Sequence, residues 1–558
     1  MRTRFLSNLF PARSKAAAKA SLFVFSAAGI ATLVDNPNSL YLPPPSNATD
    51  FAFLYGAVRS SLSLFTMAST VVDYKYSLYS LPEYSDEYRK VLSEVHLRSA
   101  KRILKLCEFN RGFYVKAGQF VSALRQVPKE YSLTLASLQD QTAPCQFKAI
   151  KELLVCNLGG DLSEIFLSFD EQPVAAASIA QVHRAILKDH QEVAVKVQYP
   201  GLEKQMKFDL ATMSFLSKFV AWCFPEYRFG WIVSEFSKSI SSELDFTQEA
   251  KNSERVAKNF RSNSMVRIPR VFWDLTTSQV LTMQFCEGQK VDDLEFLKRM
   301  EISPTKVAKA LTEVVSEMIF VHGFLHGDLH PGNILVSPEG QNGFSLVLLD
   351  HGICKELDEA FRLNYCQLWK ALIFMDSNKI QQLGEQMGVG KYARYFPVIF
   401  TGRTLNSKSA LGRGMSDEEK KDLKQELTSL KMDDISTFME SLPADFLTVL
   451  RADGLLKSLI SKLGVPQRVR LRAYAKYAFH GLSTKENLES DTRIKALFSR
   501  LEMGIKDTQL TLLLDILEAL SLMAAFIHSF TRRFKEIIVS ADSVIRNLFT
   551  QLRIISFV

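Results

Sequence analysis

The chain has 558 residues, of which 47% are hydrophobic and 23% are charged, so two or three globular domains with large cores are expected. The 68 Lys and Arg exceed the 60 Asp and Glu by a margin too diffuse to indicate nucleic-acid binding, although the charge is compatible with a membrane surface. The seven cysteines form no C-x-x-C pair, which argues against a disulfide scaffold or a zinc module.

Residues 1–34 contain no Asp or Glu, and their positive charges are interspersed with Ser, Ala, Leu and Phe. This composition predicts an organelle transit peptide or a short anchor, with the mitochondrion preferred to the plastid. The apolar run 21–34 is shorter than the ~20 residues that a spanning helix needs. Residues 35–85 begin as a proline-rich linker, and 51–81 form a helix that either faces a membrane or packs inside the protein.

A helical segment is predicted over 86–150, starting with an amphipathic helix at 86–108. A first lobe over 151–288 follows, in which alternating β-branched residues predict strands at 174–185 and 193–197. Helices are expected at 208–224 and 232–263, then a hairpin formed by 268–273 and 279–285, and a hinge at 287–288.

A second, mainly helical lobe is predicted over 289–490, opened by the Ser303-Pro304 helix start. A strand-rich lobe, a hinge and a helical lobe together indicate a bilobal α+β fold. The tail, 491–558, is predicted to be helical. Its apolar section 511–530 is interrupted by Asp515 and Glu518, which favours an amphipathic helix over a membrane span.

The sequence HGDLHPGN at 326–333, followed by an apolar run and LLDHG at 348–352, has the spacing of a phosphoryl-transfer site. Asp328 is the candidate catalytic base that orients an attacking hydroxyl and accepts its proton. Asn333 and Asp350 offer the oxygen ligands that Mg²⁺ prefers. Three histidines, His322, His326 and His330, raise zinc as an alternative, but intervening glycines and a proline make one continuous helix improbable and favour loop bracing.

A second candidate lies on the predicted strand that ends in Val193-Ala194-Val195-Lys196. An ammonium at the end of such a strand reaches the phosphates of a nucleotide when a carboxylate holds it. The best partner is Glu249, on a helix predicted over 237–259.

Four motifs together resemble the UbiB family, also called the aarF-domain-containing or ADCK group of atypical kinase-like proteins, over about 90–490. They are KAGQ at 116–119, the alanine-rich AAASIAQVH at 175–183, ELD at 243–245, and HGDLHPGN with DHG. The resemblance implies a protein-kinase-like fold with a helical KxGQ extension across the entrance for protein substrates.

The resemblance also assigns roles to residues. It implies ATP and Mg²⁺ as cofactors, and slow ATP hydrolysis more than protein phosphorylation. Lys116 and Gln119 would face the nucleotide site, with Lys116 paired to Glu243, and Asp245 completes that regulatory set. The expected nucleotide-binding residues are Ala175, Ala176, Ala177, Ser178, Ile179, Ala180, Val182 and Lys196.

Two features depart from ordinary kinases. Alanines replace the glycines that let backbone amides approach phosphates, and Ala180 stands where the family often has glycine. DHG replaces DFG and so removes the apolar side chain of the usual activity switch.

The family resemblance implies a membrane lipid or quinone-like small molecule as partner, with quinone-biosynthesis proteins as further partners, at a mitochondrial inner membrane. Two alternatives remain at this point: a small-molecule kinase of the aminoglycoside or choline phosphotransferase type, and a non-catalytic lipid-binding scaffold. The KAGQ and ELD motifs argue against the first, and the complete set of polar catalytic residues argues against the second.

Overall fold

The computed structural model describes residues 49–82, 85–123, 127–139, 144–225, 230–338, 343–404, 415–428 and 442–487, together with two isolated positions, 512 and 523. The predicted transit peptide or anchor at 1–34 lies outside the described residues. The proline-rich start of the linker lies outside them too, as does the 491–558 tail apart from those two positions.

The N-terminal part of the described chain consists of helices. They are α1 Thr49–Leu78, α2 Asp86–Asn110, α3 Phe113–Ala123 and α4 Lys129–Leu135, followed by a 3₁₀ turn, Ala136–Gln139. Ser85 caps α2 by accepting a hydrogen bond from the Tyr88 amide, and two acidic residues in the first turn complement the helix dipole. Arg111 and Gly112, both with positive φ, turn the chain from α2 into α3.

Helix α1 is a packing helix. Its Arg59 forms a buried ion pair of 2.6 Å with Asp209 of the first lobe, and its Ser63 bonds to the Tyr114 hydroxyl. Among the described helices, none combines the length and the apolar composition that crossing a bilayer requires. The contacts of Arg59 and Ser63 show that α1 packs against the rest of the protein.

The first lobe contains a five-stranded antiparallel sheet in the order β1-β3-β4-β6, with β2 paired to β3. Its elements are α5 Phe147–Leu158, α6 Leu162–Ile165, β1 Phe166–Phe169, β2 Ala175–Ala176, β3 Ala180–Leu187, β4 Glu192–Gln198, α7 Leu202–Cys223, α8 Gly230–Glu243, α9 Phe246–Asn259, β5 Val266–Arg267 and β6 Val280–Gln284. On β4, Val193, Val195 and Val197 are fully buried on one face, so Lys196 points from the opposite face.

Two predicted elements of this lobe differ from the structure. The single helix expected over 232–263 breaks between α8 and α9, because Asp245 caps α9 by accepting from the Thr247 amide. The expected hairpin of 268–273 with 279–285 is reduced to one bridge, Val271 to Met283, while β5 joins the sheet of the second lobe. Pro269 lacks the N–H that a continuous ladder needs.

The second lobe begins with β7 Gln289–Lys290, just after the predicted hinge. A four-stranded sheet in the order β5-β10-β9-β7 underlies the candidate loops. The elements are α10 Leu294–Arg299, α11 Pro304–Ser316, β8 Phe324–His326, β9 Ile334–Ser337, β10 Ser345–Leu348, β11 Cys354–Glu356, α12 Glu359–Phe374, α13 Ser377–Gln386, α14 Asp417–Thr428, α15 Ala444–Lys462 and α16 Arg468–Asn487. A π-helical turn, Glu317–His322, extends α11.

The largest hydrophobic core lies in the second lobe, where α11, α12, α15 and α16 pack around Trp369 and Tyr474. A buried pair, Arg470 with Asp453 at 2.6 Å, ties α16 to α15 inside this core. The α+β bilobal fold with a helical N-terminal extension is thereby confirmed. The second lobe contributes Asp328, Asn333 and Asp350 to the candidate site.

Candidate functional site

Strand pairing brings the two halves of the candidate site together. β8 pairs with β11, so the chain leading into Asp328 runs beside the chain leaving Asp350. The carbonyl of Asn333 accepts from the Leu349 amide at 3.0 Å, and its side-chain amide donates to the Asp328 carbonyl at 3.1 Å. The three predicted residues Asp328, Asn333 and Asp350 therefore converge.

The histidines of the loop brace its backbone. His326 Nδ1 accepts from the Asp328 amide at 3.1 Å, and His330 Nδ1 accepts from the Gly332 amide at 3.0 Å. His322 lies on the π-helical turn, 3.2 Å from Glu317. This arrangement supports the loop-bracing interpretation and offers no support for a zinc site shared by the three rings.

Lys196 lies between two carboxylates. Its Nζ is 2.7 and 2.9 Å from the oxygens of Glu249, and 3.0 Å from Oδ2 of Asp350. Burial alone would lower the pKa of Lys196, but the charges of Asp350 and Glu249 outweigh it and raise that pKa. The predicted pair with Glu249 is present, and the same ammonium reaches the predicted metal ligand.

Lys116 forms a second buried pair, contributed by the N-terminal extension. Its Nζ lies 2.9 Å from Oε2 of Glu243 and 3.6 Å from Oδ2 of Asp328. Burial disfavours the charged lysine, yet the neighbouring carboxylates raise its pKa above the usual value. The other oxygen of Glu243 is buried without a hydrogen-bond partner among the described residues. Helix α3 thus places a cation directly against the candidate base.

Asp328 has a cation on either side. Lys116 approaches Oδ2, and Nη2 of Arg451, on α15, lies 3.5 Å from Oδ1. Burial would raise the pKa of Asp328, but Lys116 and then Arg451 lower it overall. Arg451 could not be predicted from the sequence, because it stands 123 positions away from Asp328 on a helix without a local motif.

Two residues of the expected regulatory set have other contacts. Gln119 donates to the Leu138 carbonyl at 2.9 Å, so its amide fastens α3 to the following 3₁₀ turn instead of facing the candidate nucleotide site. Gly118 lies close to the same residue, because a Cβ atom at position 118 would collide with the Leu138 side chain. Asp245 is the cap of α9 and is exposed. Of the two motifs, only Lys116 and Glu243 meet in the site.

The alanine-rich segment is a tight turn between β2 and β3. Ala177 donates from its amide to the Ala180 carbonyl at 2.7 Å, while Ala175 and Ala176 belong to β2. Ser178, Ile179 and Ala180 are buried, and Ile179 packs in one cluster with Phe113 of the extension. Val182 is directly opposite Lys196 in the ladder, so both side chains point from the same face of the sheet.

The end of the same motif has a structural role that sequence analysis did not identify. Gln181 accepts from the Cys145 amide at 2.7 Å, and its NH₂ group lies 2.9 Å from Nε2 of His183. Nδ1 of His183 is 2.7 Å from the Asp170 carbonyl. Since the carbonyl only accepts, Nδ1 carries a proton. Nε2 accepts from the NH₂ group of Gln181, so it carries none and the ring is neutral. Burial lowers the pKa of His183 and favours this form.

The oxygen donors fit a magnesium ion. Asp350 is one-third exposed, while one of its oxygens accepts from the Gly352 amide at 2.9 Å, which fixes the carboxylate. A Cβ at position 352 would lie 3.2 Å from that oxygen, so the glycine permits the close approach. One carboxylate and one amide oxygen are a donor set for a hard cation that keeps most of its water and binds phosphates.

Comparisons with known proteins identify the family of the chain. The sequence profile of the ABC1 atypical kinase-like domain matches residues 137–384. "AarF domain-containing protein kinase 1" of Xenopus laevis is 40% identical over 415 residues, covering 74% of this chain and 79% of the relative. "AarF domain-containing kinase 1" of Drosophila melanogaster is 36% identical over 423 residues, covering 74% and 81%.

Among solved structures, the chain is similar to "The complex structure of Rv3197-erythromycin from Mycobacterium tuberculosis", at 22% sequence identity and a TM-score of 0.45. That match covers 69% of this chain and 99% of the other.

Proposed function

Since the chain belongs to the aarF-domain family of atypical kinase-like proteins, we propose that it binds Mg-ATP and hydrolyses it or transfers its γ-phosphoryl group at an organelle membrane. The observation that carries the proposal is the contact of one ammonium, Lys196, with both Glu249 and Asp350. That arrangement links a phosphate-binding lysine to its positioning glutamate and to the magnesium ligand.

Each residue has one task in this proposal. Lys196 binds the α- and β-phosphates, held in place by Glu249. Asn333 and Asp350 hold the magnesium, which neutralises charge on the phosphates when it is bound. Asp328 orients the attacking hydroxyl and takes its proton. His326 and Asn333 hold the backbone of Asp328 through its amide and its carbonyl, which fixes the position of this residue in the loop.

The acceptor is small. Lys116 of α3 lies 3.6 Å from Asp328, and Phe120 of the same helix is buried against Arg451, so we infer that the extension covers the side on which a peptide hydroxyl would arrive. Such a cover favours water or a lipid-like alcohol as the acceptor. We propose a membrane lipid or a quinone-like molecule as the partner and isoprenoid-quinone or lipid homeostasis as the process, at the mitochondrial inner membrane.

The test is an ATPase assay with γ-labelled ATP and Mg²⁺, run with and without liposomes and with a quinone-head-group mimic. We expect slow release of labelled phosphate that increases with liposomes and is lost in Asp328→Asn. Label on a soluble alcohol would instead indicate a small-molecule kinase. Cellular rescue by an Asp328→Asn and Asp350→Asn double variant would indicate a non-catalytic scaffold.

A further inference from the structure

Arg451 is a partly buried cation at the candidate site that no sequence motif identifies. It projects from α15 of the second lobe, and its side chain is only 13% exposed. Its Nη2 lies 3.5 Å from Oδ1 of Asp328, at the outer limit of a hydrogen bond. Its Nε is buried without a hydrogen-bond partner among the described residues. Such a donor is costly to leave unpaired, which points to a ligand.

The two lysines of the site are already held by glutamates. Lys196 lies within 3.0 Å of Glu249 and Asp350, and Lys116 lies 2.9 Å from Glu243. Among the described residues, Arg451 makes no comparable short contact to a carboxylate, and its distance to Asp328 is 3.5 Å. The charge of Arg451 is therefore the least neutralised of the three.

The extension shields the guanidinium. The Phe120 ring of α3 lies 4.9 Å from the Arg451 Cζ, a cation–π contact. Phe120 and Lys116 are four residues apart, so they occupy neighbouring positions on one helix face. The same face that places Lys116 against Asp328 therefore places an aromatic ring against Arg451. Displacement of α3 would expose both the candidate base and this guanidinium.

We propose that Arg451 is a further catalytic residue that donates its N–H groups to the oxygens of the transferred γ-phosphoryl group. This role rests on the Mg-ATP function proposed above. In the step, the acceptor oxygen forms a bond to the γ-phosphorus while its proton passes to Asp328. The bond from the γ-phosphorus to the β–γ bridging oxygen breaks, and ADP leaves with that electron pair. Arg451 remains protonated and stabilises the charge on the transferred group.

The test compares Arg451→Met and Arg451→Lys with the wild-type chain and with a matched control, Lys462→Met. Lys462 lies on the same helix but is 53% exposed and pairs with Asp292 at the surface. Thermal unfolding is measured with Mg-ADP and with Mg-ADP plus aluminium fluoride, which mimics the transferred group. Initial rates of ATP hydrolysis give kcat and KM separately.

For wild type and Lys462→Met we expect stabilisation by Mg-ADP and a further increase with aluminium fluoride. Arg451→Met should keep the Mg-ADP shift, lose the further increase, and lose about 10³-fold in kcat with little change in KM. Arg451→Lys keeps the charge without the planar fork, so an intermediate kcat is expected. If Arg451→Met does not fold, the kcat and the aluminium fluoride shift of Arg451→Lys are compared with those of the wild type instead.

A kcat within about threefold of wild type in the variant that folds, with the aluminium fluoride shift retained, would overturn the role of Arg451. If wild type binds Mg-ADP and hydrolyses ATP in that experiment, the proposed function stands without Arg451. If wild type shows no shift with any nucleotide and no hydrolysis, the proposed function fails and this role fails with it.

Discussion

Two buried lysine–glutamate pairs flank the candidate site and belong to different parts of the molecule. Lys196 comes from the sheet of the first lobe and is paired with Glu249, at the start of α9. Lys116 comes from the helical extension and is paired with Glu243, at the end of α8. The two glutamates are six residues apart, joined through the Asp245 cap.

The pairs differ in the third residue that each lysine contacts. Lys196 also lies 3.0 Å from Asp350, the candidate metal ligand, whereas Lys116 lies 3.6 Å from Asp328, the candidate base. Under the proposed function, the first pair would organise the side for a nucleotide and its metal, and the second pair would cover the side for an acceptor. That difference would let one fold keep the elements of a kinase site while restricting its acceptor.

Replacing Lys196 by Met should have the largest effect. The variant leaves Glu249 buried without its partner, so the free energy of unfolding should fall by about 3–5 kcal/mol. Nucleotide binding should be lost as well. Chemical denaturation and a Mg-ADP titration measure the two effects. Lys207→Met, at a 75% exposed lysine of α7, is the matched control and should change neither. Retained Mg-ADP affinity in Lys196→Met would contradict the proposal that Lys196 binds the nucleotide.

Replacing Lys116 by Met should separate the two pairs. Glu243 loses its partner, so stability should fall by about 2–5 kcal/mol, and adding Glu243→Gln should restore part of it. Asp328 loses a cation that lowers its pKa, so it becomes a stronger base with a less covered face. We therefore expect ATP hydrolysis to rise while it falls in Lys196→Met. Equal loss of activity in both variants would remove the distinction between the pairs.

Gly118→Ala should weaken the anchor of the covering helix. The added Cβ collides with the Leu138 side chain, and overpacking of this kind costs about 1–3 kcal/mol. Gln119→Ala removes one hydrogen bond to the Leu138 carbonyl and should cost about 1 kcal/mol. Equilibrium unfolding measures both. In a Leu138→Ala background, Gly118→Ala should cost less than it does in the wild-type chain, because the methyl group with which the added Cβ collides is gone. An equal cost in the two backgrounds would show that the collision is relieved elsewhere.

A weaker effect on stability is expected when the pH is lowered, and it arises at His183, which lies outside both pairs. The folded state holds this ring neutral, so its pKa lies below the ordinary 6.5, whereas the unfolded chain takes up a proton near that pH. Stability is then complete above about pH 6.5 and declines as the pH falls, by at most about 1.4 kcal/mol per pH unit. Unfolding temperatures at pH 7 and 5 measure this, and His183→Gln should show a smaller decline. An equal loss of stability in the wild type and in His183→Gln would contradict the conclusion that the folded state holds His183 neutral.

Local motifs were sufficient to predict which residues form the first pair. The strand ending at Lys196 and the LLDHG sequence have a recognisable period and spacing, and the structure brings both to one place. Glu249 was correctly chosen as partner, although the helix predicted to carry it breaks at Asp245, whose capping bond was not recognised. A cap of this kind depends on the backbone angles of one residue, which periodicity does not report.

The second pair depended on tertiary placement. Nothing in the composition of α3 places Lys116 beside Asp328, and it entered the prediction through family resemblance. The same resemblance assigned Gln119 to the nucleotide side, where the structure instead shows an anchor to Leu138. Arg451 escaped prediction because its contacts join helices far apart in the chain. Charged residues that are distant in the chain and meet only in the folded protein leave no local sequence pattern that would predict their contact.

The most direct test of the central claim is a calorimetric titration of Mg-ATP into the purified protein and into its Asp350→Asn variant. The exchange keeps the size of the side chain but removes the charge that holds Mg²⁺ and contacts Lys196. We predict Mg²⁺-dependent binding in the wild-type protein and its loss in Asp350→Asn. Equal binding by both proteins, or none by the wild type, would contradict the claim that Lys196, Asn333 and Asp350 form a Mg-ATP site.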